Sequence, residues 1–430
     1  MKYHITLIAA LLFFCQSSYG QSDTSLLLKY RTMALDYSHD LKAAEKNISA
    51  SIELLKSAKD DLKPKLDAGG TYQYCGNPME LTISLPSSDA RIYAQGQNQS
   101  CSYNLSLSQP IYTGGRILES IRLSNQRHSL QSDTFDLIRS NVCFQTDVQY
   151  WNTVASIELA SLFEASYQGV AELKRLVEER VNVGMADPQD LLMVEVKLNN
   201  SHYQLLKSQN EVTTNCMALN SLIGNNLNEE IDVDTEIDST ISINPTIYMN
   251  YPERAEIRIA NDKIDIKKSE LIISDSQYRP QLSVGAEGGY YSPGYNFKSD
   301  LNSNYTLFAR LSVPIFNFSK RKSDKKAYEF EVGAAEDDLF RITDEINLEQ
   351  EQSKINLAQS IQRVELTGNS LEKAEENEAK AIERYNDGKA SVDEVIDAQV
   401  YKLTTQSYFV EAKLAMQINY SEMLKSLNAY

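Results

Sequence analysis

The chain has 430 residues and a formal net charge of −17 at pH 7. This acidic balance argues against nucleic acid as a partner, because proteins that bind it neutralise phosphates with Lys and Arg. The sequence contains no Walker glycine loop, no nucleophile elbow and no metal-ligand spacing among its four histidines. We therefore expect neither an enzyme nor a protein that holds a metal or a cofactor.

Residues 1–20 have the pattern of a secretory signal peptide. An apolar run extends from Ile5 to Cys15, and the segment ends in small residues at Gly20. This run is about half of the ~20 residues that span a bilayer as a helix, and no later stretch is apolar for that long. We expect no transmembrane helix in the mature chain. Phe14 argues against lipid attachment at Cys15, because a lipobox has a small residue at that position.

Four cysteines follow the signal: Cys75, Cys101, Cys143 and Cys216. An even number of cysteines in a secreted chain is compatible with disulfides. Cys75 and Cys101 bracket one polar loop and are the better candidate pair. Cys143 and Cys216 lie in helical patterns, where buried free thiols and a bridge are both open alternatives.

The chain also contains an internal repeat. The segment from Arg180 to Gly184 is followed by Asp190, and 204 positions later the segment from Arg384 to Gly388 is followed by Glu394. A repeat of roughly two hundred residues is too long for a solenoid unit and indicates a duplicated half. We predict a first repeat over residues 21–224, an acidic linker over 225–251 and a second repeat over 252–430.

Four segments alternate apolar and polar residues with period two, which predicts two-faced β-strands. Strands of about ten residues with one apolar face and terminal tyrosines suit a tilted membrane β-strand. Two amphipathic hairpins of a water-soluble sheet would show the same alternation. The membrane interpretation is favoured because nothing else in the chain offers a compact core for such a sheet to cover. The segments are residues 65–74, 103–108, 281–290 and 305–313.

Helical periodicity follows each predicted hairpin. Neither proline nor a glycine-rich break occurs over residues 116–183 or 320–387, which predicts two helices of about 65 residues and roughly 100 Å. After turns at residues 184–188 and 388–392, returning helices are predicted over 190–222 and 393–427. A further helix is predicted ahead of each hairpin, over residues 26–62 and 252–278.

This order of elements resembles the TolC family of outer-membrane efflux proteins. Each half has a helix, a β-hairpin whose second strand ends in proline, a very long helix, a tight Arg-x-Asn-x-Gly turn and a returning helix. The resemblance implies a homotrimer in which each chain gives four strands to one twelve-stranded β-barrel. An α-helical barrel would continue it through the periplasm. The predicted fold class is therefore an α+β membrane protein, and its β-barrel is expected to contact outer-membrane lipid.

The function that the resemblance implies is a passive exit duct in the outer membrane. Such a duct is joined through a periplasmic adaptor protein to an inner-membrane transporter of the RND or ABC type. Drug efflux, metal efflux and type I protein secretion stay open, because the transporter chooses the cargo. The alternative function is a periplasmic coiled-coil scaffold or adaptor with soluble hairpins.

The resemblance also implies an entrance lined by acidic residues just after the two turns. The matching positions are Asp190, Glu394 and Asp397, and Asp393 is a neighbour. Three-fold symmetry would turn each carboxylate into a ring that favours cations. The alternative for each acid is a plain helix N-terminal position, which the helix dipole favours.

Two further features of the turns follow from the same resemblance. Tyr385 matches a tyrosine that latches the closed state, but the position of the arginine that accompanies it is Ala390. The latch is therefore altered, or Lys389 supplies it. Gly184 and Gly388 mark the turns where adaptor tips are expected to dock, and both glycines also suit a helix C-terminus.

Overall fold

The computed structural model describes residues 25–84, 91–241, 253–295 and 298–430. The predicted signal peptide and Cys15 lie outside these residues. No helix in the described ranges has an apolar stretch sufficient to cross a bilayer. The helices are α1 (Ser25–Tyr37), α2 (His39–Asp60), α3 (Arg116–Asn182), α4 (Pro188–Ile223), α5 (Ala255–Ser276), α6 (Lys320–Asn386) and α7 (Val392–Ser426); the strands are β1 (Lys65–Tyr74), β2 (Glu80–Ser84), β3 (Arg91–Gln95), β4 (Gln99–Thr113), β5 (Gln281–Ser292) and β6 (Asn302–Ser312).

The helices confirm the predicted order and most of the predicted bounds. The long helices α3 and α6 have 67 residues each, and α4 and α7 return with 36 and 35 residues. The first predicted helix is wrong in one respect, because it is interrupted at Ser38. The Ser38 hydroxyl accepts a hydrogen bond from the backbone N–H of Leu41 at 3.3 Å, which makes Ser38 an N-cap that begins α2.

The four predicted strands form one antiparallel sheet in the order β1-β4-β5-β6. The register places residues of like polarity side by side on each face, as the period-two pattern predicts. One row across the apolar face is Leu66, Leu107, Ala286 and Leu307, and the adjacent row on the polar face is Asp67, Ser106, Glu287 and Thr306.

The loop after β1 differs from the sequence-based expectation of a plain polar loop. It contains a second, two-stranded sheet in which β2 pairs with β3. Ile83 stands opposite Ile92, and Leu81 stands opposite Ala94. These apolar residues share one face, so the same alternation that marks the longer strands also stabilises this short hairpin. Residues 85–90 between the two strands lie outside the described ranges.

The described residues divide into two compact units. The first unit takes the chain up to Lys42, Asp136–Arg254 and Asp344–Tyr430. Within it, Nε and Nη2 of Arg31 donate two hydrogen bonds to the Asp147 carboxylate, at 2.6 and 2.8 Å. The Asp147 side chain is fully buried, and the Tyr430 hydroxyl donates a third hydrogen bond to it at 2.6 Å. A buried carboxylate with three donors holds its segments in one arrangement.

Part of the predicted linker also packs in this first unit. Residues 225–241 contain no helix or strand. The side-chain amide of Asn220 donates to the Glu229 carbonyl at 2.8 Å, and the Tyr30 hydroxyl donates to the Asp232 carbonyl at 2.7 Å. These two linker carbonyl groups are therefore satisfied by side chains of the neighbouring helices α4 and α1. Residues 242–251 of the predicted linker lie outside the described ranges.

The second unit takes Ala43–Phe135 and Ala255–Thr343, which include the four-stranded sheet. At the junction of α5 and β5, the Asp275 carboxylate accepts hydrogen bonds from Arg279 at 2.9 Å and from Arg321 at 2.8 Å. Gly114 has φ +68° and approaches α5 closely. A Cβ added to Gly114 would lie 2.6 Å from the Ser276 carbonyl oxygen, so only glycine fits between β4 and α3.

Candidate functional site: the helical tips

The two turns that join the long and returning helices are built alike. The backbone N–H of Met185 donates to the Arg180 carbonyl at 2.7 Å, and that of Lys389 donates to the Arg384 carbonyl at 2.8 Å. Gly184 and Gly388 have φ of +70° and +74°. These are Schellman helix ends, which need a left-handed residue, and the repeated glycines supply it.

The helices that return from the turns are capped in different ways. Asp187 caps α4 by accepting the Gln189 N–H at 2.8 Å, and Pro188 occupies the first helical position. At α7, the Ser391 hydroxyl accepts the Glu394 N–H at 3.3 Å while the Glu394 carboxylate accepts the Ser391 N–H at 3.4 Å. Glu394 therefore belongs to a capping box as well as to the predicted entrance.

A small apolar core packs the two turns together. It contains Val177 of α3, Val194 of α4 and Tyr385 of α6. The side chains of Val177 and Val194 are fully buried, and Tyr385 is 6% exposed. Burial of this kind contributes about 1.5–3 kcal/mol per large side chain, so the two hairpins of one chain form a single tip.

Arg180 makes the polar contact between the two hairpins. Its guanidinium donates to the Tyr385 carbonyl at 2.9 Å and to the Asn386 carbonyl at 3.1 Å. The same guanidinium lies 4.2 Å from the centroid of the Tyr385 ring. Arg180 thus ties the C-terminal end of α3 to the C-terminal end of α6, where the carbonyl groups are left free by the helix and favour a cation.

The sequence pattern did not assign this role to Arg180. Its counterpart in the repeat, Arg384, contacts its own turn, with 3.3 Å to the Lys389 carbonyl and 3.3 Å to the Glu394 carboxylate. The Arg-x-Asn-x-Gly motif marks both arginines equally. Only the three-dimensional packing of one hairpin against the other distinguishes the arginine that crosses from the one that stays on its own turn.

Of the predicted entrance acids, Asp190 lies close to this contact, whereas Glu394 contacts Arg384. Asp190 is half-buried, and Asp393, Glu394 and Asp397 are exposed. Burial raises the pKa of the Tyr385 phenol, the Arg180 guanidinium opposes this effect, and the Asp190 carboxylate adds to it. The Tyr385 hydroxyl is therefore protonated at neutral pH. Its oxygen is buried and has no hydrogen-bond partner among the described residues.

Lys389 is engaged elsewhere on its own turn. Its ammonium group lies 2.9 Å from the Asp387 carboxylate. Ala390, at the position where the family resemblance would have an arginine, packs partly buried against the apolar core of the tip. The cation next to the Tyr385 ring is Arg180, and the Lys389 ammonium is paired with Asp387.

The structure does not bring the thiols of Cys75 and Cys101 together. Both are free, and so are Cys143 and Cys216. Cys101 pairs with Tyr72, whereas the N–H of Cys75 donates to the Asn98 carbonyl at 2.7 Å. In the strand register, Cys75 is therefore offset from Cys101 by three residues, which is about 10 Å along the strands. That separation exceeds the ~7 Å limit between Cα atoms of a disulfide.

A model of the family described as outer membrane efflux protein matches residues 31–225 and 253–429. The chain belongs to the outer membrane efflux protein family. The two matched segments account for most of the chain. No curated protein matches the sequence at a significant level.

Solved structures share the fold of this outer membrane efflux protein. CusC superposes with a TM-score of 0.80 at 15% identity, over 96% of this chain and 95% of CusC. VceC from Vibrio cholerae has a TM-score of 0.78 at 16% identity, over 94% of this chain and 96% of VceC. CmeC from Campylobacter jejuni has a TM-score of 0.75 at 17% identity, over 94% of this chain and 86% of CmeC. At these identities the likeness establishes the fold, which is mostly helical and built from two repeats.

The family assignment confirms the resemblance drawn from the sequence. This outer membrane efflux protein is a passive channel of the outer membrane, and it is not an enzyme. The alternative of a periplasmic scaffold or adaptor is not favoured, because the matching family and the matching folds are those of outer-membrane channels.

Proposed function

We propose that three copies of this protein close one twelve-stranded β-barrel and so form the exit duct of a tripartite efflux or type I secretion system. The observation that carries the proposal is the four-stranded sheet, whose edges β1 and β6 have no partner strand among the described residues. Open strand edges are not tolerated in lipid. Four strands are too few to close a barrel, and three copies supply twelve.

The two faces of the sheet support its placement in the membrane. On the apolar face, Leu66, Leu307 and Leu311 are between 65% and 75% exposed. Exposed leucines on a sheet face are unfavourable in water and favourable against outer-membrane lipid. The opposite face carries serines, asparagines and charged side chains, which suit an aqueous lumen.

The internal repeat gives the register of the proposed seam between copies. When Pro64 is aligned with Pro280 and Pro110 with Pro314, β1 corresponds to β5 and β4 corresponds to β6. The two hairpins then have the same register throughout: Leu66 pairs with Leu107 as Leu282 pairs with Leu311. We infer that the β6 edge meets the β1 edge of the next copy as β4 meets β5 within one chain.

The ends of the strands are consistent with this seam. β4 continues to Thr113, which pairs with Gln281 of β5. The equivalent end of β6 stops at Ser312, and residues 313–317 are not strand. Ile315 and Phe316 in this segment are 93% and 72% exposed. A neighbouring β1 would cover the segment and extend β6 to the length of β4.

A single substitution tests the seam. Ser102 pairs with Tyr291 between β4 and β5, so the repeat places Thr306 opposite Cys75 of the neighbouring copy. We expect Thr306→Cys, in a Cys101→Ser background, to form a disulfide with Cys75 between copies, because directly opposite Cα atoms of antiparallel strands lie about 4.5–5.5 Å apart, within the range of a disulfide. A denaturing gel without reductant should show a covalently linked trimer that reductant converts to monomer.

The matched control is Leu307→Cys in the same background. It lies one residue further along β6 and on the opposite face of the sheet, so its thiol points away from Cys75. Equal cross-linking of both variants, or none with Thr306→Cys under an oxidant, would contradict the inferred register.

We place the entrance of the duct at the helical tips. In a trimer, Asp190, Glu394 and Asp397 each form a ring of three carboxylates, which favours cations and repels anions. Tyr385 and Arg180 hold the two hairpins of each copy together and so limit their separation. The exposed carboxylates of α7 and the crossing contact of Arg180 support this placement.

The turns at Gly184 and Gly388 are the proposed docking sites of a periplasmic adaptor protein. Val183 and Met185, beside the first glycine, are 67% and 79% exposed, which gives a partner apolar surface to bury. Through the adaptor, the duct would connect to an inner-membrane transporter of the RND or ABC type. That transporter selects the cargo.

A further inference from the structure

The polar face of the four-stranded sheet carries charges of both signs. The Lys65 ammonium is paired with the Asp61 carboxylate at 3.0 Å, whereas the Glu287 carboxylate accepts a hydrogen bond from the neutral Asn104 amide at 3.0 Å and, like Asp67 in the same row, keeps its negative charge. Arg310 is exposed on this face and has a different environment. Its guanidinium carbon lies 5.4 Å from the centroid of the Phe308 ring.

Phe308 is an aromatic residue in the middle of a row of small and polar ones, and Gly285 makes room for it. The two residues are directly paired between β5 and β6. A Cβ added to Gly285 would lie 2.4 Å from Cζ of Phe308. The ring therefore lies over the glycine, against the sheet, and only glycine at position 285 permits this position. Held in this way, the ring offers its face to the Arg310 guanidinium.

The Arg310 charge is separated from the acidic row of the same face. Arg310 pairs with Ser283, and Glu287 pairs with Thr306. The two rows are four residues apart on β6, about 13 Å, which exceeds the screening length of about 8 Å at physiological ionic strength. At the proposed seam, the repeat places the uncharged Thr71 of the next copy opposite Arg310. Ser283 and the neighbouring copy's Thr71, the residues directly opposite Arg310 on its two sides, carry no charge.

We propose that Arg310, held on the Phe308 ring over Gly285, forms an anion-attracting ring in the β-barrel lumen and acts as a second charge filter of the duct. This inference rests on the proposed trimeric barrel, in which the polar face lines the lumen. Three guanidinium groups at one level favour anions with carboxylate or phosphate geometry and chloride. At its own level, this ring would oppose the cation preference of the acidic entrance and of the lumen row that holds Asp67 and Glu287.

Planar-bilayer recordings in a KCl gradient test the filter with K⁺ and Cl⁻ as the probes. We expect Arg310→Gln to raise the ratio of K⁺ to Cl⁻ permeability about twofold, the size expected for three partly screened charges near the ion path. Arg310→Lys should keep the wild-type ratio. Ser312→Gln introduces the same amide on the same strand face without removing a charge, and should also keep it.

A second variant tests the filter if the Arg310→Gln protein does not assemble into trimers. Arg310→Cys, with Cys75 and Cys101 replaced by serine, can be modified in the folded channel. A cationic thiol reagent should restore the wild-type permeability ratio, and an anionic reagent should raise the ratio further. If the wild type conducts and all these ratios are equal, the filter is disproved. If the wild type forms no trimer or no channel, the proposed duct itself fails.

Discussion

Replacing Arg180 by alanine is expected to open the entrance of the duct. The change removes two hydrogen bonds with a charged donor, to the carbonyls of Tyr385 and Asn386, and the contact with the Tyr385 ring. For a half-buried arginine this contributes about 1–2 kcal/mol per copy. Three copies acting together shift the equilibrium between closed and open entrances by roughly a hundredfold or more. Single-channel conductance should rise accordingly.

Arg384→Ala is the matched control for this prediction. It removes the equivalent arginine of the other turn, which contacts the Lys389 carbonyl and Glu394 of its own turn. We expect the conductance of this variant to stay close to that of the wild type. The role of Arg180 is contradicted if both variants conduct alike, or if Arg180→Ala conducts no better than the wild type.

The second large effect is expected from Arg31→Ala, which leaves Asp147 in the core of the first unit without its cation. The Asp147 side chain is fully buried, and Tyr430 would be the donor that remains. Removing one member of a buried ion pair costs about 3–5 kcal/mol, because the other charge stays buried and uncompensated. The apparent melting temperature measured by far-UV circular dichroism should fall clearly.

Two further variants show whether the cause is the buried charge. Arg175→Ala removes an arginine that pairs with Glu172 and Glu179 on the surface, where such pairs contribute about 0–1 kcal/mol. The double change Arg31→Met with Asp147→Leu removes both charges and should recover most of the lost stability. A double variant as unstable as Arg31→Ala would contradict the explanation.

Regular periodicity made much of the fold predictable. β1 begins and ends at the predicted residues, Lys65 and Tyr74, because ten alternating positions leave one choice of face. The long helices end where Gly184 and Gly388 permit a left-handed turn. The repeat reinforced each of these predictions, since the strands, long helices and glycine turns of the first half each had a counterpart in the second.

Features that depend on a few residues or on distant contacts were not predictable. The β2–β3 hairpin rests on alternation over five residues per strand, which is too short to be distinguished from a polar loop. The break at Ser38 depends on one side-chain cap. The contact between Arg180 and Tyr385 joins residues 205 positions apart. A motif can show that an arginine is present, but not which hairpin it will contact.

Three copies of this chain are proposed to close a single duct in the outer membrane. Native mass spectrometry of the protein extracted from membranes in detergent tests it most directly, because it counts the chains in one particle. We expect that detergent is needed for extraction and that each particle contains three chains. A single chain released without detergent in a periplasmic wash would contradict it.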